Sequence, residues 1–96
     1  MLKFVDIKSN MPEKADSLKR KKNFKEIYLK YAKEKAEEQS SRCSQCGVPF
    51  CQIHCPLSNN IPDWLKLTAE GRLKEAYELS QSTNNMPEVC GRICPQ

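Results

Sequence analysis

Four cysteines fall within thirteen positions in the stretch RCSQCGVPFCQIHCP, residues 42–56, and nothing else in the chain restricts its folding as strongly. Thiols set this closely belong to a redox pair, a zinc clip, a disulfide staple or an iron–sulfur cradle. The segment that carries them, residues 40–60, has no helical or strand period, and Gly47, Pro49, Pro56 and Asn59-Asn60 mark turns, so it reads as a tightly folded loop. Two more cysteines, Cys90 and Cys94, stand far from it, and Cys94 precedes a proline as Cys55 does.

The size of the chain sharpens the question. Ninety-six residues make at most one small domain, and such domains often draw part of their stability from a metal, a crosslink or a partner. With 39% hydrophobic and 29% charged residues, a self-sufficient core is not expected; a bound cofactor or further sequence is. The opening MLKFVDIKSNMPEK lacks the apolar run of a secretory signal. No stretch reaches the roughly 18 apolar residues that suggest a membrane span. The expectation is a cytoplasmic protein with no membrane partner. In that compartment thiols stay reduced, and clustered cysteines are more often metal ligands or catalytic groups than disulfides.

Charge is unevenly placed. Residues 1–42 carry 12 Lys/Arg against 7 Asp/Glu, a net of +5, while residues 43–96 carry 4 against 5, a net of −1. The run KRKK at 19–22 is soon followed by Glu26, Glu34, Glu37 and Glu38, with no interleaved aromatic residues, so it reads as a solvated helix face and not as a nucleic-acid site. A docking patch for an acidic protein surface is the second reading.

The rest of the chain reads as all-α. Residues 1–16 form an irregular N-terminal segment, and residues 17–96 a helical domain. From Asp16 or Ser17 a helix is expected to run to about Gln39, with Phe24, Ile27, Tyr28, Tyr31, Ala32 and Ala36 on one packing face over the cysteine loop or a neighbouring domain. Pro62 suits the first turn of a second helix carrying Ile61, Trp64, Leu65 and Thr68, which Gly71 ends. A third carries Leu73, Ala76, Tyr77 and Ser80, and another begins at Pro87, where Glu88 suits the positive end of the helix dipole.

Spacing then separates the chemistries. A thioredoxin-like dithiol needs its C-x-x-C at a helix start in a βαβ setting, and no strands surround Cys43–Cys46. Structural zinc commonly takes two separated pairs of ligands. Here Cys43/Cys46 and Cys51/Cys55, with His54 as a substitute, are compressed, with four residues between the pairs. A zinc-stabilised interaction module stays open as the alternative. Iron–sulfur binding suits the pattern better. In the bacterial C-x₂-C-x₂-C-x₃-C-P run the cysteine before proline ligates a second cluster. The x₃ step and Cys55-Pro56 are retained here, although the middle gap is four. By that logic Cys43, Cys46 and Cys51 hold one [4Fe–4S] cluster, Cys55 crosses to another, and Cys94-Pro95 is its natural companion. Two clusters need eight ligands and the chain has six cysteines, so either one cluster is complete or the ligand set continues past Gln96.

The stretches CSQCGVPFCQIHCPLSNNIPDW and NNMPEVCGRICP, with the preceding NFKEIYLKYAKEKAEEQSSRC, resemble the N-terminal cluster domain of the small (β) subunit family of NADPH-dependent glutamate synthase. They are also similar to the corresponding segment of dihydropyrimidine dehydrogenase. The resemblance covers about Lys22 to Gln96. It implies an all-helical domain with two [4Fe–4S] clusters, in front of flavoprotein domains that bind FAD and NADPH, relaying electrons to the glutamate synthase large subunit. It implies Cys43, Cys46 and Cys51 as ligands of one cluster and Cys55 and Cys94 of the other, each completed downstream. Cys90 is not carried over. The sequence ends at CPQ, before the C-x-x-x-C that the family leads one to expect. The piece alone is therefore expected to be inactive, with its metal occupancy poor and copies associating to cover apolar faces. Gly47 and Gly91 suit close approach of backbone amides to a cluster or equally a simple turn, and Arg92, between Cys90 and Cys94, suits offsetting cluster charge or pairing with a surface acid.

Overall fold

In the computed structural model, which describes residues 1–95, six helices follow one another: α1 (Ser17–Arg20), α2 (Lys33–Ser40), α3 (Phe50–Ile53), α4 (Ile61–Ala69), α5 (Leu73–Gln81) and α6 (Pro87–Ile93). The class is all-α, and the one β contact among the described residues is an isolated antiparallel bridge between Lys14 and Tyr28.

The α4–α5 hairpin is the frame. Pro62 lies in the first turn of α4, where its missing amide costs no helical bond, and Asp63 in the same turn faces the positive helix end. The helix ends by backbone geometry: Gly71 takes φ +76°, the Arg72 amide donates to the Leu67 carbonyl at 2.9 Å, and the Gly71 amide donates to Thr68 at 3.0 Å. These two bonds satisfy carbonyls that the helix leaves free and turn the chain straight into α5. A Cβ at position 71 would also stand 3.1 Å from Glu37 Oε1 of α2, a side-chain tip that would have to shift slightly, so the backbone conformation is what requires glycine there. Gly71→Ala is expected to lower stability by roughly 1 kcal/mol or more, read as a lower denaturant midpoint at unchanged slope.

Helix α2 packs across α4, and α3 touches it. The buried set is small: Ala76, Pro62, and the polar Ser40, Ser41 and Asn59. No large side chain among the described residues is wholly enclosed. The hairpin turns much of its apolar surface toward a cavity instead of a filled core.

The expected helix from Ser17 to Gln39 is broken between Arg20 and Lys33. Asp16 caps α1 by accepting from the Leu18 amide at 2.8 Å, as a helix start requires. Beyond it, side chains take the backbone partners that a helix would use. Asn23 Nδ2 donates to the Lys19 carbonyl at 3.1 Å, the Lys25 amide to Asn23 Oδ1 at 2.9 Å, and the Tyr28 amide to Glu26 Oε1 at 3.1 Å. The chain then runs extended beside residues 13–15, with Ala15 N on the Ile27 carbonyl and Leu29 N on the Glu13 carbonyl, both at 2.7 Å. Phe24 is fully exposed, so the aromatic stripe is no helical packing face. The loop at 40–60 also differs from expectation: Phe50–Ile53 close one helical turn after Pro49, and the Phe50 and His54 rings stack on it at 5.9 Å.

Residues 1–10 have no helix and are tied to the approach to the first cysteine. Leu2 N donates to the Cys43 carbonyl at 2.9 Å, Arg42 Nε to the Ile7 carbonyl at 2.9 Å, and Gln39 bridges Lys8 and Asn10.

Candidate metal centre

Cys51 lies in α3 and Cys55 four residues on; Cys90 lies in α6 and Cys94 at its C-cap, again four on. In α6 a spacing of four puts the two cysteines on one helical face, whereas Cys55 lies just past the end of α3. The two pairs, with Gly91, line a single cavity of about 600 Å³ walled on its other side by the α4–α5 hairpin through Trp64, Ala76 and Tyr77. Cys55 and Cys94, 39 residues apart in sequence, are thereby brought to one chamber.

One polar clamp shapes that wall. Asn59, buried, accepts from the Trp64 indole Nε1 at 3.0 Å and donates through Nδ2 to the Ser80 carbonyl at 3.2 Å, so it joins the exit of the cysteine loop to both helices of the hairpin. Thr68 Oγ1 donates to the Trp64 carbonyl at 2.7 Å. The loop reaches the clamp by a tight turn in which Ser58, at φ +49°, donates its amide to the Cys55 carbonyl at 2.9 Å.

Cys43 and Cys46 stand outside this lining. Cys43 is half-buried and Cys46 exposed. Between them Gln45 adopts φ +50°, which turns its amide back toward Cys43. The Gln45 backbone N lies 3.5 Å from Cys43 Sγ and its side-chain Nε2 3.3 Å from the same atom, while Nε2 also donates to the Pro62 carbonyl at 2.6 Å. Two N–H groups of one residue are thus aimed at a single sulfur.

Arg92 is held by a surface acid from elsewhere in the chain. Its guanidinium forms a two-pronged pair with Glu26, Nη1 to Oε1 at 2.9 Å and Nη2 to Oε2 at 2.5 Å, and lies 6.0 Å from the Tyr28 ring centre. The Tyr28 amide, and after it the Arg92 charge, holds the Glu26 carboxyl below its ordinary range. A Cβ at Gly47 or Gly91 would meet no protein atom within 4 Å, so packing within the chain does not set either glycine, whereas Gly71 takes a positive φ.

The donor set fits an iron–sulfur group. The cavity lining contains thiols and neither carboxylate nor imidazole, and soft thiolates in an apolar wall select such clusters. Among the described residues no three His, Cys, Asp or Glu side chains converge on one point, so Cys43, Cys46 and Cys51 are not brought together. Sequence reasoning left out Cys90, which shares the lining, and missed Gln45, Asn59 and Glu26. The i, i+4 spacing of Cys90 and Cys94 was the available signal for the first. The other three act through tertiary hydrogen bonds or a turn conformation that no periodicity displays.

Comparison with known proteins follows the same line. Residues 20–96 match the family described as dihydropyrimidine dehydrogenase domain II, 4Fe-4S cluster. The glutamate synthase [NADPH] small chain of Azospirillum brasilense is 66% identical over 96 residues, all of this chain and 20% of that protein. The small chain of Escherichia coli (strain K12) is 50% identical over 93 residues, 97% of this chain and 20% of the relative. That of Bacillus subtilis (strain 168) is 43% identical over 101 residues, 96% and 20%. The chain therefore spans about a fifth of the length of these relatives.

Proposed function

The chain belongs to the family of dihydropyrimidine dehydrogenase domain II, 4Fe-4S cluster, and from that premise we propose that it is the electron-relay segment of a larger glutamate synthase-type oxidoreductase. The proposed whole carries FAD and NADPH in downstream domains and works with a glutamate synthase large subunit. The observation that carries the reading is the chamber walled by Cys51, Cys55 and Cys94 and free of carboxylate and imidazole. The alternative, a zinc-stabilised interaction module, finds no support in a family defined by a 4Fe-4S cluster. No helix of the described residues is long and apolar enough to cross a membrane.

In this reading Cys43, Cys46 and Cys51 hold one cluster and Cys55 and Cys94 begin the second, with the remaining ligands downstream. When bound, the clusters supply one-electron transfer between the flavin and the partner's acceptor. The chain's own residues supply the setting. Gln45 donates N–H groups to the Cys43 sulfur, which lessens its negative charge. Trp64, Ala76 and Tyr77 present apolar surface on the far side of the chamber, opposite the thiols. Asn59 holds Trp64 there. Cys51 lines the chamber and also belongs to the loop of Cys43 and Cys46, so it brings the two proposed ligand groups close together.

The test is metal analysis of the full-length protein purified without oxygen from its own host. Iron and acid-labile sulfide are expected at about eight each, four per cluster, with paramagnetic signals on reduction. Stoichiometric zinc without iron would overturn the reading.

A further inference from the structure

Helix α6 has cavities on two sides. Gly91 and Cys94 line the thiol chamber and also a second, more polar cavity of about 900 Å³, which Glu26, Tyr28 and Arg92 line as well. The Cys94 position is therefore a partition, with the Glu26–Arg92 pair on its outer side. The Glu26 carboxylate is fixed by three donors, the two Arg92 nitrogens and the Tyr28 amide at 3.1 Å. Tyr28 in turn lies near two cations, Arg92 at 6.0 Å and Lys14 Nζ at 5.8 Å from its ring centre. A carboxylate 66 residues away in sequence is thus locked onto the one cationic side chain of α6.

We propose that Glu26 tunes the electrostatic field at the Cys94 thiolate by partly cancelling the charge of Arg92. The proposal rests on the reading of Cys94 as a ligand of an iron–sulfur cluster. A positive charge beside a cluster favours the reduced form, which carries one more electron, and a paired carboxylate subtracts from that effect. Glu26 and Arg92 are each about half exposed, so the field is screened by water and salt and its size is modest.

Two opposite shifts follow in the full-length, cluster-loaded protein. Glu26→Gln frees the Arg92 charge and moves the midpoint potential of one cluster upward, by about threefold in the one-electron equilibrium constant, or about 28 mV at 59 mV per tenfold. Arg92→Gln moves the same cluster downward by a similar factor, and the double variant returns close to the unsubstituted protein. Arg92→Lys keeps the charge and stays within a third of the Arg92→Gln shift. Raising salt shrinks the single-variant shifts. A purely mechanical clasp moves both single variants in the same direction, and that result, or no shift in either, overturns the proposal. Cys94→Ala is run beside them. If it leaves both clusters intact, the ligand reading itself fails. If it removes one cluster while the charge variants do not move oppositely, the tuning proposal fails alone.

Discussion

Cys94→Ala in the full-length protein is expected to cost one of two clusters: iron falls by about half and one reduced-state paramagnetic signal disappears while the other persists. Cys43→Ala is expected to give the complementary loss. The reason lies in the placement of the thiols. Cys94 stands on the chamber wall with Cys55, whereas Cys43 stands outside it with its sulfur under the Gln45 N–H groups. Equal loss of both signals in each variant would mean that the six thiols serve one shared site and that the division into two groups is wrong. Iron analysis with spectra of the reduced proteins decides it.

Asn59→Leu is the second large effect. The side chain is buried, accepts from one ring nitrogen and donates to one carbonyl, and leucine matches its size without either function. The Trp64 indole N–H and the Ser80 carbonyl would both lose their partners in a part-buried setting, each at about 1–3 kcal/mol, so a total near 3 kcal/mol is expected. For a domain of this size that lowers the thermal midpoint by on the order of 10 °C or more. Calorimetry of the loaded protein reads it. A change under about 0.5 kcal/mol would show that the clamp is replaceable, for instance by water at both groups.

How much of this was legible in the sequence depends on the range of the interaction concerned. Pro62, Gly71 and Pro87 act within one helical turn of themselves, and α4, α5 and α6 lie where those residues place them. The break between α1 and α2 was hidden. The apolar spacing of Phe24 to Ala36 is truly helical, but Asn23 and Glu26 offer the backbone nearer partners, and the bridge to Lys14 completes an extended alternative. Local side-chain competition of this kind leaves no trace in a period count. At the site, the similar cysteine–proline endings of Cys55 and Cys94 suggested one shared cluster; the structure puts both residues on one cavity wall, together with Cys51 and Cys90. Arg92 was read from its neighbours in sequence, yet its partner Glu26 comes from the other end of the chain.

The thiol chamber has a consequence for the order of biosynthesis. Its lining runs from Cys51 to Cys94, and the α4–α5 hairpin that forms the far wall is made between the two cysteine pairs. At about 5–20 residues per second, translation places Cys94 roughly two to eight seconds after Cys55. During that interval the hairpin can fold from local contacts, but the chamber lacks the wall that α6 supplies. On the proposed ligand reading, Cys55 and Cys94 can hold a cluster between them only after α6 has emerged and closed the wall.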